Sequence, residues 1–164
     1  MHSEIQFKVR HLAISNVTGT IRKFQGSVIC EGEDFGHAQI HVTMEPASID
    51  TNNTDRDGHL RSEIFLDAEK YPLMHYEGML QRMGEDYLMQ GTLTIRDITR
   101  PVTLPVSFTG VGKGRFGDER AGFEASGVIH RKDFGLTWNM VAEGGGLIVG
   151  EDIKLHFDIQ LIRQ

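Results

Sequence analysis

Along most of this chain apolar residues return at every second position, the period of a strand with one face buried and the other in water. Ile5, Phe7 and Val9 alternate with Gln6, Lys8 and Arg10. The run from Asn16 to Glu31 reads as one long strand, with Gly19 and Gly26 as points where it can bend or bulge. Ala38, Ile40, Val42 and Met44 form a third segment, Leu73 to Leu80 a fourth, and Met89, Gly91, Leu93 and Ile95 a fifth. Val102, Leu104, Val106 and Phe108 make the sixth, and Ala121, Phe123, Ala125, Gly127 and Ile129 the seventh. The eighth is the cleanest: Ile153, Leu155, Phe157, Ile159 and Leu161 against Lys154, His156, Asp158 and Gln160. Gly84-Glu85-Asp86 and the stretch from Gly112 to Gly117 read as hairpin tips, and Asp97 to Pro101 as a tight connection with Pro101 opening a strand. Antiparallel strands in short-linked succession avoid open edges best by closing on themselves. The pattern therefore predicts an all-β fold, an eight-stranded antiparallel barrel. Such a barrel can be filled by side chains or can hold one small ligand.

The alternation stops once. Arg56-Asp57-Gly58-His59-Leu60-Arg61-Ser62-Glu63-Ile64-Phe65, followed by Tyr71-Pro72, crowds charges of both signs together and sets Leu60, Ile64 and Phe65 at helical spacing. With Asp57 as N-cap, residues 58–69 form one short helical insertion between strands 3 and 4, ended by Tyr71-Pro72. Leu60, Ile64 and Phe65 then face the barrel end while Arg56, Arg61 and Glu63 face elsewhere, as in a charged rim over an apolar interior.

A chain of 164 residues fits a single domain, 1–164. The net charge of −6 and the lack of any Lys/Arg run argue against a nucleic-acid or anionic-membrane partner, since neither offers a positive face. Gly144 to Gly150 is too short and glycine-rich to span a bilayer, so no membrane insertion is expected. No signal-peptide pattern opens the chain. The expected compartment is cytoplasmic if Met1 is a true start and periplasmic if a signal peptide was removed. Cys30, the single cysteine, closes an apolar run beside Glu31 and Glu33 and reads as a small buried hydrophobe rather than a reactive thiol.

Catalytic patterns are mostly missing: there is no nucleophile elbow, no phosphate-cradling glycine loop and no His pair at metalloprotease spacing. Asn53-x-Asp55-x-Asp57-Gly58 begins like a calcium loop, but its twelfth position is Ile64 where a bidentate glutamate belongs. Of the eight histidines, His37 and His41 share a strand face yet stand roughly 13 Å apart along it, too far to hold one ion. No metal and no cofactor are expected. What remains is apolar excess: Phe7, Phe24, Phe108, Phe123, Phe134, Trp138 and Phe157 on separate segments, with Met74, Met79 and Met89 between them. Core packing accounts for such residues in an ordinary protein. Methionine also suits a lumen that must fit a long, adaptable chain.

Several stretches taken together resemble the YceI-like family of bacterial lipocalin-like proteins. They are Phe7-Lys8-Val9-Arg10-His11-Leu12, Ser15-Asn16-Val17-Thr18-Gly19, Phe24-x-Gly26 and Ala47-Ser48-Ile49-Asp50-Thr51. They continue with Arg56-Asp57-x-His59-Leu60-Arg61-Ser62, Phe65-x-Asp67, Tyr71-Pro72 and Gly91-x-Leu93-Thr94-Ile95. Thr99-x-Pro101-Val102, Ala121-Gly122-Phe123 and Arg131-Lys132-Asp133-Phe134-Gly135-Leu136 complete the set. One departure is that family members usually begin several residues earlier, with a Trp-containing start to the first strand.

The resemblance implies an eight-stranded lipocalin-like barrel with an elongated apolar lumen. The ligand it implies is a polyprenyl, isoprenoid-quinone or similar chain that can co-purify, with no catalysis. The expected lumen residues from the first half of the chain are Phe7, Val9, Phe24, Ile40, Val42, Leu60, Ile64 and Phe65. From the second half they are Met74, Tyr76, Met89, Leu93, Phe108, Phe123, Phe134, Trp138 and Phe157. Arg56, His59, Arg61 and Arg131 are candidate donors to a head-group oxygen. Arg56, Asp57, His59 and Arg61 can equally form an ion-pair network that fixes the helix to the rim. Two other readings stay open: an enzyme or carrier acting on a lumen-bound amphiphile, with His59, Asp57 or His130 as acid or base, and a filled barrel serving as an interaction module. A homodimer is compatible with all three.

Overall fold

The computed structural model describes residues 2–164. Its strands are β1 (Glu4–His11), β2 (Ser15–Ile21), β3 (Phe24–Ile29), β4 (Gln39–Met44), β5 (Ile49–Asp50), β6 (Met74–Met83), β7 (Asp86–Ile95), β8 (Ile98–Lys113), β9 (Glu119–His130) and β10 (Val149–Ile162). One helix, α1 (Thr54–Arg61), follows β5, and short 3-10 turns occupy Pro46–Ser48 and Arg131–Phe134. The strands form a single curled sheet in the order β3-β4-β6-β7-β8-β9-β10-β1-β2-β5, antiparallel throughout.

The ladder has ten strands where the sequence pattern predicts eight. One added strand is the two-residue β5; the other comes from the run 16–31, which breaks into β2 and β3 at Arg22-Lys23. The break is not at Gly19 or Gly26. There Arg22 N–H turns to the Ser48 carbonyl (3.3 Å) and Lys23 N–H to the Ser48 hydroxyl (2.9 Å), so the 3-10 turn supplies acceptors that a regular ladder would otherwise provide. The Arg22 guanidinium also meets Asp50 at 2.5 Å. β3 stands at one end of the sheet and β2 beside the other end, so this kinked segment joins the two ends and enforces the curl. Gly19 has a different role. A Cβ there would sit 2.3 Å from the Phe7 ring, which lies across β2 in the space that glycine leaves. Gly91 is needed for a similar reason, since a Cβ there would fall 2.1 Å from the Glu77 carbonyl oxygen on the neighbouring strand. β8 begins at Ile98, so Pro101 lies inside it opposite Thr92 instead of opening it.

The helix also differs from its sequence reading. Its N-cap is Asn53, whose side chain accepts from Arg56 N–H at 2.9 Å, and it ends at Arg61. Asp55 and Asp57 in the first turn and His59 and Arg61 in the last complement the helix dipole. Asp57 is therefore a helix residue, and a buried one: its Oδ1 accepts from Thr51 N–H (2.9 Å) and from the Thr51 hydroxyl (2.5 Å). Because the helix stops before Ser62, Ile64 does not continue the face of Leu60, and it is 45 % exposed.

Burial is uneven around the sheet. The inward residues of β6 to β9, among them Leu80, Leu93, Leu104 and Phe123, are buried. Ile5 of β1 is buried as well, but Phe7 and Val9 of β1 and Ile153, Leu155 and Phe157 of β10 are only half-buried, although they face the same interior. Side chains facing inward yet incompletely covered mean that the interior is hollow.

Candidate functional site: an apolar cavity with a basic mouth

The hollow is a cavity of about 750 Å³, within the roughly 300–1,000 Å³ typical of small-molecule sites. Its border follows β10 from Val149 to Leu161, a run of about 40 Å of strand. Of the sequence-predicted lumen residues, β1 contributes Phe7 and Val9, β3 Phe24, and β4 Ile40 and Val42. β6 supplies Met74 and Tyr76, β7 Met89 and Leu93, β9 Phe123, and β10 Phe157. Leu60, Phe65 and Trp138 border it at one end.

Three predicted lumen residues lie elsewhere. Ile64 is on the surface beyond the helix end. Phe108 belongs to an aromatic cluster with Phe35, Tyr87 and Phe123, whose Phe35–Phe123 and Phe108–Phe123 ring centroids are 5.0 and 5.3 Å apart. That cluster closes the interior at Phe123, and Phe35, from the loop before β4, is a member that strand periodicity does not reveal. Phe134 is 2 % exposed in the 3-10 turn and packs into the core without reaching the cavity. Cavity-bordering residues outside the expected set include Ile153, Leu155, Ile159 and Leu161 of β10 and Leu136 and Ile148 of the connecting loop. The alternation of β10 carries the signal for the first four; the loop residues have none.

Tyr76 is a buried polar side chain in this wall. Its hydroxyl donates to the Val102 carbonyl at 3.0 Å, and burial pushes its pKa up to about 12, so it stays neutral.

At the α1 end three aromatic rings meet. His59 lies edge-on to Trp138 at 4.7 Å and to Phe65 at 5.2 Å, and Phe65 and Trp138 are 5.2 Å apart. Arg56 is half-buried at this mouth; its Nε donates to the Thr51 hydroxyl and one Nη to the Thr51 carbonyl, each at 2.8 Å. Thr51 thus stands between Arg56 and Asp57. No ion pair joins Arg56, Asp57, His59 and Arg61 to one another among the described residues, so the rim is held by hydrogen bonds through Thr51 rather than by a charge network. Arg61 lies outside the cavity border. The three candidate acid–base groups are not brought together: Asp57 is taken by Thr51, His130 pairs with Asp152 on the surface, and His59 packs on aromatic rings.

Arg131 borders the cavity but is 2 % exposed. Its guanidinium donates to the carbonyls of Leu136 (2.6 Å), Gly150 (2.8 Å), Trp138 (2.9 Å) and Val149 (3.3 Å). It therefore pins the 136–150 loop to the start of β10. Burial lowers its pKa, and the Glu151 charge opposes that shift. Arg10 and His11 join the mouth from the end of β1.

Comparison with known proteins agrees with this architecture. The YceI-like domain model matches residues 1–161. A UPF0312 protein of Serratia proteamaculans is 36 % identical over 163 residues, covering 99 % of this chain and 82 % of its own length. A Staphylococcus epidermidis UPF0312 protein is 37 % identical over 157 residues, covering 95 % and 90 %. Among solved structures, BcnA of Burkholderia cenocepacia superposes with a TM-score of 0.83 at 20 % identity over 97 % of this chain and 96 % of its own. The Campylobacter jejuni YCEI protein gives 0.77 at 29 % identity over 96 % and 91 %. A polyisoprenoid binding domain from Saccharophagus degradans gives 0.73 at 14 % identity over 99 % and 94 %. The chain belongs to the YceI-like family.

Proposed function

We propose that this protein binds a long-chain isoprenoid lipid, such as a polyprenyl phosphate or isoprenoid quinone, in the cavity and serves as its carrier or store, without catalysing a reaction on it. The observation that carries this reading is the hollow interior, an apolar space bordered by inward-facing side chains from all round the curled sheet. Each CH₂ group transferred there from water contributes roughly 0.8 kcal/mol before ordering costs, so an isoprenoid tail gains affinity with length and needs no polar contact along it. The S. degradans neighbour, a polyisoprenoid binding domain of the same fold, supports the class of ligand. A head group is expected at the mouth, where Arg56 and His59 offer donors. Arg131 has its donors committed to carbonyls and holds the loop that shapes the mouth.

A cavity-filling variant tests this. Leu155 faces the cavity from the middle of β10. With saturating isoprenoid quinone, the parent protein should melt on the order of 5 °C higher, and Leu155→Trp should fold but lose that shift. Equal shifts in parent and variant would place the ligand outside the cavity.

A further inference from the structure

Exposed large hydrophobic side chains scattered singly need no explanation, but clustered ones do. Among the described residues, Leu12, Ile14, Met140, Val141 and Leu147 are all exposed, Ile14 by 82 % and Val141 by 68 %. They occupy two neighbouring loops, the β1–β2 turn and the loop before β10. The loops are joined by Leu12 N–H bonding to the Ile148 carbonyl at 2.9 Å. The residues behind them, His11, Trp138, Ile148 and Val149, border the cavity, so the apolar tips stand at its mouth. The turn carries a second sign. Leu12 and Ala13 both hold positive φ, 54° and 59°, a conformation that hairpins normally give to Asn and Gly. Stability is sacrificed there while an apolar side chain is displayed.

Charge at this mouth runs against the chain as a whole. The net charge is −6, yet the ionisable side chains bordering the cavity at this end are Arg10, His11, Arg56, His59 and Arg131, and no carboxylate borders it among the described residues. The neighbouring Lys132 and Glu151 form an ion pair at 2.6 Å, Asp152 hydrogen-bonds His130, and Glu143 is the one acid between 136 and 150. Whole-chain charge argued against an anionic surface; the local arrangement reverses that for one end of the molecule.

We propose that the two loops form a docking tip that seats the cavity mouth on a bilayer carrying anionic head groups. Ligand then passes between bilayer and cavity without crossing water. Apolar tips sink to the head-group boundary, basic side chains meet the phosphates, and the acidic remainder of the surface admits only this orientation. The proposal rests on lipid binding by the cavity, and its test separates the two.

Purified protein is sedimented with phosphatidylcholine vesicles with and without phosphatidylglycerol, and the melting shift with isoprenoid quinone is recorded in parallel. The parent protein should bind the phosphatidylglycerol vesicles and release them as salt is raised. An Ile14→Ser/Val141→Ser variant should bind them at least about tenfold more weakly, with its quinone shift unchanged because neither residue borders the cavity. Leu12→Asn with Ala13→Gly should melt higher and bind vesicles less. A parent that ignores both vesicles, or binds as well as the double serine variant, overturns the proposal. So does a parent whose apolar tips prove, by gel filtration against the variant, to be covered by a second copy. Vesicle binding without any quinone shift would instead remove the cavity reading and leave the docking tip standing.

Discussion

Arg131 shows how a residue can border a site and still serve the fold. With four carbonyls around one buried guanidinium, its removal takes the donor from the Leu136, Trp138 and Gly150 carbonyls, while the Val149 carbonyl keeps the Asn139 amide. Arg131→Met should cost about 3 kcal/mol of stability in urea unfolding, whereas Arg56→Gln, at a half-buried position, should cost under about 1 kcal/mol and act on head-group affinity. Tyr76 gives a pH signature. Its folded pKa is raised to about 12 from 10.0 because burial penalises the phenolate. The unfolded chain therefore ionises first, and the stability Tyr76 contributes is fully present below pH 10 and is lost as pH rises through 12. Tyr76→Phe removes the hydrogen bond to Val102 and should be less stable at neutral pH by about 1 kcal/mol. That deficit should shrink between pH 10 and 12 when both proteins are unfolded in parallel; a constant deficit would mean that the hydroxyl is hydrated.

At the scale of elements, the helix at the mouth separates what could be read from what could not. Asn53→Ala should lower stability by about 1 kcal/mol through the lost cap, while Ile64→Ser, on the surface, should stay within about 0.5 kcal/mol and leave ligand affinity unchanged. From sequence alone, the insertion was legible, because a period change marks it. Its start was not, since Asn53, Asp55 and Asp57 are all good caps. Thr51, whose backbone and hydroxyl settle the choice by claiming Asp57, lies outside the helix. Strand alternation was legible in β1, β4 and β6 to β10 for the same reason that the cavity wall was: inward residues of a curled sheet are apolar whether they meet a core or a ligand. The break between β2 and β3 was not, because it depends on Ser48 acceptors that arrive from a distant turn. Phe108 and Phe134 share the pattern of lumen residues. Only three-dimensional placement sends one into an aromatic plug and the other under a 3-10 turn.

For the whole molecule, the curled sheet wraps one cavity: the well-buried Leu80, Leu93, Leu104 and Phe123 of β6 to β9 border it together with the half-buried Phe7, Val9, Ile153, Leu155 and Phe157 of β1 and β10. A cavity walled by apolar side chains is an arrangement that stability alone would not favour, since empty apolar space forfeits packing contacts. The hollow is the reason to expect an occupant, and an occupant with an isoprenoid tail should survive purification. Denaturing extraction of the purified protein followed by mass spectrometry tests this most directly. A long-chain isoprenoid released in an amount comparable to the protein is the predicted result. A clean extract, together with no melting shift on adding isoprenoid quinones or polyprenyl phosphates, would contradict it.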